Sequence, residues 1–166
     1  AQPVAPVINA AIAGNIALAE EHVLSLSTEG LEDQMVVADE HRLRQVLDNF
    51  ISNAIKFSPP DEAITVRVEQ TVPGFTRITV SDCGDGVPKQ FENELFERFS
   101  QAEVGTSKSI KGTGLGLAIC RELAKLMNGE VGYFYDRGAN FWIELPNNMT
   151  RKNHVNESAR NTSRGV

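Results

Sequence analysis

The run Lys111-Gly112-Thr113-Gly114-Leu115-Gly116-Leu117-Ala118-Ile119 constrains this chain more than any other stretch. Glycines at three alternate positions let a backbone fold tightly and approach a ligand closely. Immediately after them, Leu115, Ile119, Leu123, Leu126 and Met127 recur at helical spacing. A Gly-rich loop therefore opens straight into a helix. The start of a helix carries unpaired N–H groups and the positive end of its dipole, which suits phosphate. The expected occupant is the triphosphate tail of a nucleotide. Ala102 to Lys111, just upstream, is rich in Ser, Thr and Lys and poor in large apolar residues. It reads as a mobile lid. Lys108 and Lys111 are surface lysines by default, and charge partners for phosphate if the lid covers the helix start.

The strongest periodic signal in the first half is a helix capped by Asp39 and running from near Glu40 to about Phe57. Leu43, Val46, Leu47, Phe50, Ala54 and Ile55 form its apolar stripe. A second stripe holds Gln45, Asn49, Ser52, Asn53 and Lys56. Asn is a poor helix former, so two of them one turn apart are unusual. The stripe is either a solvated face or a wall of oxygen ligands for Mg²⁺, which takes carboxamide, phosphate and water oxygens.

Ser58-Pro59-Pro60-Asp61 stops that helix. Ala63 to Val72 and Phe75 to Ser81 alternate around Pro73-Gly74 and read as an antiparallel hairpin. The segment Asp82-Cys83-Gly84-Asp85-Gly86-Val87-Pro88 follows. Alone it reads as an Asp/Gly turn. Its functional reading is a pocket floor, where Asp82 accepts from an exocyclic amine and Gly84 and Gly86 let a flat base lie against backbone. A buried acid needs such a partner. Elsewhere the pattern predicts a helix over Val4 to Glu20, short strands at His22 to Ser27 and Gln34 to Ala38, and a turn at Thr28-Glu29-Gly30. It also predicts a core helix with aromatic anchors over Phe91 to Gln101. Asn128-Gly129 ends the Gly-rich helix, and a last hairpin joins Glu130–Tyr135 to Ala139–Leu145 around Asp136-Arg137-Gly138.

Composition narrows the classes. The chain has 166 residues, 41% of them hydrophobic, enough for one domain with a real core. A net charge of −6 argues against nucleic acid as partner. Two cysteines are too few for a disulfide framework or a zinc site and fit a reducing compartment. No apolar run is long enough to span a membrane and no leader is visible, so a cytoplasmic location is expected. The chain lacks an initial Met and reads as a piece of a longer protein. Residues 147–166 are polar and are expected to be a disordered tail behind a domain at 1–146.

Taken in order, the Asn helix, Asp82-x-Gly-x-Gly86, the Phe96/Phe99 pair and Gly112-x-Gly-x-Gly116 resemble the ATP-binding catalytic domain of two-component sensor histidine kinases. The resemblance covers about Val4 to Pro146, and Arg42 to Phe57 is similar to the family's Asn box throughout. It implies an α/β (α+β) two-layer sandwich: a mixed, mostly antiparallel sheet, helices on one face, and ATP beneath a mobile lid. It implies that Asn53 coordinates Mg²⁺, that Asn49 lines the same site, and that Lys56 contacts phosphate. Asp82 would bind the adenine amino group, with Gly84 and Gly86 shaping its pocket. Arg98 and Lys108 would contact phosphate or assist transfer. Gly112, Gly114 and Gly116 would hinge the lid and present amides.

Related ATPases, gyrase and the heat-shock chaperones among them, place a Glu one turn before the metal-binding Asn to activate water. Asn49 stands there in this chain, and an amide is a poor general base. ATP should then survive until a better nucleophile arrives, in this family a histidine on a dimerising helical hairpin. His22, His41 and His154 lack the acceptor context, so the chain is expected to be unable to phosphorylate itself, and without the dimerising hairpin it is expected to be monomeric. The expected partners are the phosphoacceptor hairpin of the same parent kinase and a downstream response regulator receiver domain. The parent would be free to be membrane-anchored. The family's last hairpin often carries more glycine and serine than Asp136 to Asn140 does; this departure is expected to lie away from the pocket. The alternatives are a serine kinase or ATPase of the same fold, and a non-catalytic nucleotide-binding module.

Overall fold

The computed structural model describes residues 1–19, 26–31, 33–97 and 116–148. Its elements run β1 (Gln2–Pro3), α1 (Ala5–Ala19), β2 (Leu26–Glu29), β3 (Met35–Val36), α2 (Glu40–Phe57), β4 (Ile64–Glu69) and β5 (Phe75–Ser81). A short 3-10 helix (Lys89–Glu94), α3 (Gly116–Leu126), β6 (Glu130–Tyr135) and β7 (Ala139–Pro146) complete them. The main sheet has the order β2-β4-β5-β7-β6, with only the β2–β4 pair parallel. β1 and β3 form a small antiparallel pair of their own.

Alternation divides the sheet into two faces. Ile64, Val66 and Val68 of β4, Ile78 and Val80 of β5, and Phe141, Ile143 and Leu145 of β7 join the three helices in one core. Arg67, Arg77, Trp142 and Glu144 alternate with them; the Arg77 guanidinium lies 4.0 Å from the centre of the Trp142 ring and pairs with Glu144 at 3.0 Å. The expected two-layer sandwich, mixed and mostly antiparallel, is thus the observed one.

α2 forms because its caps and its stripe agree. Asp39 accepts from the Arg42 N–H at 2.9 Å, Glu40 and Lys56 complement the dipole at the two ends, and Leu43, Val46, Leu47, Phe50, Ile51, Ala54 and Ile55 are buried. At its far end the Ser58 N–H bonds the Ala54 carbonyl, and Pro59 follows. α3 ends with Asn128 left-handed (φ 56°) and the Gly129 N–H on the Ala124 carbonyl at 2.8 Å, which satisfies the last carbonyls.

Several expectations change. Thr28 and Glu29 are strand, not turn, because they pair with Val66 and Arg67 of β4; the left-handed residue is Gly30 (φ 72°). The described part of the expected Phe91–Gln101 helix, up to residue 97, holds the end of a 3-10 helix, after which Leu95 is buried and Phe96 packs edge-on to Phe141 at 6.4 Å; residues 98–101 lie outside the described residues. The buried Leu95 and the Phe96 ring dock this described part of the stretch. In α1 Val7, Ile8 and Ala11 are buried as expected, but the next buried position is Asn15, while Ile16 is 51% exposed. In α3 the buried residues are Ala118, Cys120 and Ala124, and Ile119 and Leu126 face outward. Ala11 and Asn15 of α1 and the three buried residues of α3 are small or polar, so the spacing of large apolar residues does not reveal them. Burial pushes the Cys120 thiol up to about 12, so it stays protonated.

Candidate functional site

α2 carries one wall of the site. Asn49 and Asn53 are half-buried and stacked one turn apart, and Asn53 Nδ2 donates to Asn49 Oδ1 at 3.3 Å. That bond leaves the Asn53 carboxamide oxygen without a protein partner among the described residues. Lys56, a turn further on, is exposed. On the other flank Asp48 is turned towards α1, where its Oδ1 accepts from Arg44 Nε at 2.9 Å and from Asn15 Nδ2 at 3.0 Å. An open polar hollow of about 390 Å³ lies there, lined by Gly14, Asn15, Arg44, Gln45, Asp48, Asn49 and Ser52. It includes Asn49 but not Asp82, so it is the α1 flank of α2 and not a base pocket.

Two glycine segments close on α2. A Cβ on Gly116, the first residue of α3, would strike the Asn49 side-chain amide. A Cβ on Gly84 would lie 2.5 Å from the Phe57 carbonyl at the end of α2. Gly116, the last glycine of the Gly-rich run, and the Asp82 loop, distant in sequence, thus meet the same helix roughly two turns apart, about 12 Å along its axis.

Asp82 is 6% exposed. Its Oδ1 accepts from the Gly84 N–H at 2.8 Å and the Ala139 N–H at 3.1 Å. Burial raises its pKa above the ordinary aspartate value, against the pull of those two N–H groups. The second carboxylate oxygen has no hydrogen bond to a described residue. The last hairpin, expected to lie away from this place, is directly against it. β7 pairs with β5 in the register Ser81↔Asn140, the Asp82 N–H bonds the Ala139 carbonyl at 2.9 Å, and a Cβ on Gly138 would run into the Asp82 carbonyl. Adjacency in the sheet overrules separation in sequence.

Arg98, Lys108, Gly112 and Gly114 lie outside the described residues, as do the 102–111 lid, His22, His154 and all but the first two residues of the 147–166 tail. Sequence reasoning missed Asn15, Arg44 and Tyr133. Asn15 and Arg44 had no spacing signal. Tyr133 belongs to a strand that looked remote from the Asp82 loop.

Residues 38–149 match the family model described as histidine kinase-, DNA gyrase B- and HSP90-like ATPase. The chain belongs to this ATPase family. Similar proteins within it include sensor proteins and sensor histidine kinases. The swarming motility regulation sensor protein RssA of Serratia marcescens is 36% identical over 142 residues, 84% of this chain and 30% of that protein. The sensory/regulatory protein RpfC of Xanthomonas campestris is 37% identical over 131 residues, 74% of this chain and 18% of RpfC. Among solved structures, the mycobacterial sensor histidine kinase MprB superposes with a TM-score of 0.72 at 26% identity, covering 86% of this chain and 94% of that one. Full-length ShkA in complex with AMPPNP gives a TM-score of 0.71 at 32% identity, covering 85% of this chain and 29% of that one. The chain is therefore an ATP-binding catalytic domain of the sensor histidine kinase kind and spans under a third of these curated relatives. Among the described residues, no helix is long and apolar enough to cross a membrane, and no three His, Cys, Asp or Glu residues cluster as metal ligands.

Proposed function

We propose that this chain binds Mg-ATP and donates the γ-phosphoryl group to a histidine on a separate helical hairpin, within a two-component pathway ending at a response regulator receiver domain. The observation that carries this reading is the convergence of two glycine segments on α2: Gly116 on Asn49, which also bonds Asn53 within the helix, and Gly84 on the helix end at Phe57. The base end is then Asp82 with Gly84 and Gly86, and the phosphate end is Asn49, Asn53, Lys56 and the amides at Gly112, Gly114 and Gly116. Residues 1–146 form the catalytic domain and 147–166 its tail.

The residues present fit a magnesium ion. Asn53 keeps an uncommitted carboxamide oxygen, a hard donor of the kind Mg²⁺ takes beside phosphate and water oxygens. Bound there, the ion would neutralise charge on the phosphates. Asn49 holds Asn53 in orientation, and Lys56, with Arg98 and Lys108, supplies positive charge. The carboxylate nearest Asn49 in sequence, Asp48, is tied to Arg44 and Asn15 on the α1 side. It is poorly placed to prime water, which favours transfer over hydrolysis.

The test is to mix the chain with labelled ATP, Mg²⁺ and a helical hairpin bearing a phosphoacceptor histidine. Label should appear on the hairpin and not on the chain alone. Steady hydrolysis, or labelling of the chain without the hairpin, would overturn the reading.

A further inference from the structure

The Asp82–Pro88 loop has no regular secondary structure, yet it must hold its acid in a fixed place. Asp82 itself secures the first half through Gly84 and Ala139. The second half is secured from β6. The Val87 N–H donates to the Tyr133 hydroxyl oxygen at 2.9 Å. Gly86 is left-handed (φ 72°), and a Cβ there would lie 2.6 Å from both the Tyr133 hydroxyl and the Tyr135 ring. The Tyr133 ring lies 5.0 Å from that of Phe141, which packs in turn on Phe50 of α2 at 5.6 Å. Burial raises the Tyr133 pKa further above neutrality, so its oxygen stays a neutral acceptor.

We infer that Tyr133 is a positioning residue for the base end of the nucleotide site, setting the Gly84–Val87 segment, and through it Asp82, at the spacing a purine requires. Its hydroxyl grips the loop amide while its ring is fixed by the aromatic core. Tyr135 closes over Gly86 from the same strand face. The second half of the loop is therefore shaped from behind by β6. This deepens the assignment of Asp82 to the base and rests on it.

The test uses the whole chain and its Tyr133→Phe variant, which removes one oxygen and keeps the ring. Affinities for ATP and for inorganic tripolyphosphate are measured with Mg²⁺ by calorimetry, with melting curves alongside. The parent should bind ATP more tightly than tripolyphosphate; if it shows no preference, the base-site reading fails and this inference with it. Given that preference, the variant should lose about tenfold in ATP affinity, as expected when an N–H loses its acceptor. Tripolyphosphate affinity should stay within about twofold, because the bond removed is to Val87 in the base-end loop. Unchanged ATP affinity, or equal losses for both ligands, would overturn the inference and leave the base-site reading standing.

Discussion

At the scale of single residues, Asp82 shows what a site demands of the fold. Two backbone N–H groups hold one oxygen, and burial still outweighs them and raises the acid's pKa. An acid raised on folding contributes stability that is fully present below its unfolded pKa and is lost as pH rises through the folded value. At neutral pH the ionised Asp82 is therefore a cost to the free protein, offset when a donor arrives. Asp82→Asn keeps an acceptor for both N–H groups and removes the buried charge. The variant should melt at or above the parent at neutral pH, with the gap closing as pH falls towards about 4. Its ATP affinity should fall tenfold or more, about the loss of one hydrogen bond to a charged group. Melting curves across pH, with calorimetric titration at pH 7, check both parts; a variant that melts lower at neutral pH would contradict the assignment of cost.

At the scale of elements, the site is a set of close approaches onto α2. Gly116 begins α3 against the Asn49 amide, so α3 can sit as near as it does only without a side chain at that position. Helix propensity favours Ala over Gly by about 1 kcal/mol in a helix interior. The contact opposes it, because a Cβ there must displace Asn49 or push α3 away. Gly116→Ala should leave global stability within about 1 kcal/mol in urea denaturation while ATP binding weakens about 5- to 30-fold, the effect of 1–2 kcal/mol. A variant that is more stable and binds ATP as before would show that the approach has slack. α2 itself could be read from the chain because cap, stripe and stop all lie within it. The 3-10 segment after Pro88 could not, because it is followed by Leu95, buried in the core, and Phe96, packed on Phe141 of β7 far away in sequence.

For the whole molecule, a nucleotide that touches α2, α3 and the Asp82 loop should stabilise all three together. Ligand at about a hundred times its dissociation constant adds about 2.7 kcal/mol, which for a chain of this size is about 5–10 °C in melting temperature. ATP with Mg²⁺ should give such a shift. Mg²⁺ alone should give none, since no cluster of acidic or imidazole ligands stands ready among the described residues. Asn53→Ala should lose the Mg²⁺-dependent part while keeping a smaller shift from the base end. An equal shift in parent and variant would remove Asn53 from the metal site.

Much was written in local patterns that need only neighbouring residues to be seen. The helix under Asn49 and Asn53, the bounds of β5 and the two hairpins are of this kind, because periodicity and turn chemistry act within a few residues. What required the folded chain was adjacency. β7 enters between β5 and β6, and β2 runs parallel to β4. Those pairings bring Ala139 and Gly138 to Asp82 and let Tyr133 reach the Val87 amide. Asn15 likewise becomes a buried polar residue only when Asp48 is set opposite it. The order of strands depends on packing energies between segments far apart in the chain, and no local pattern records them.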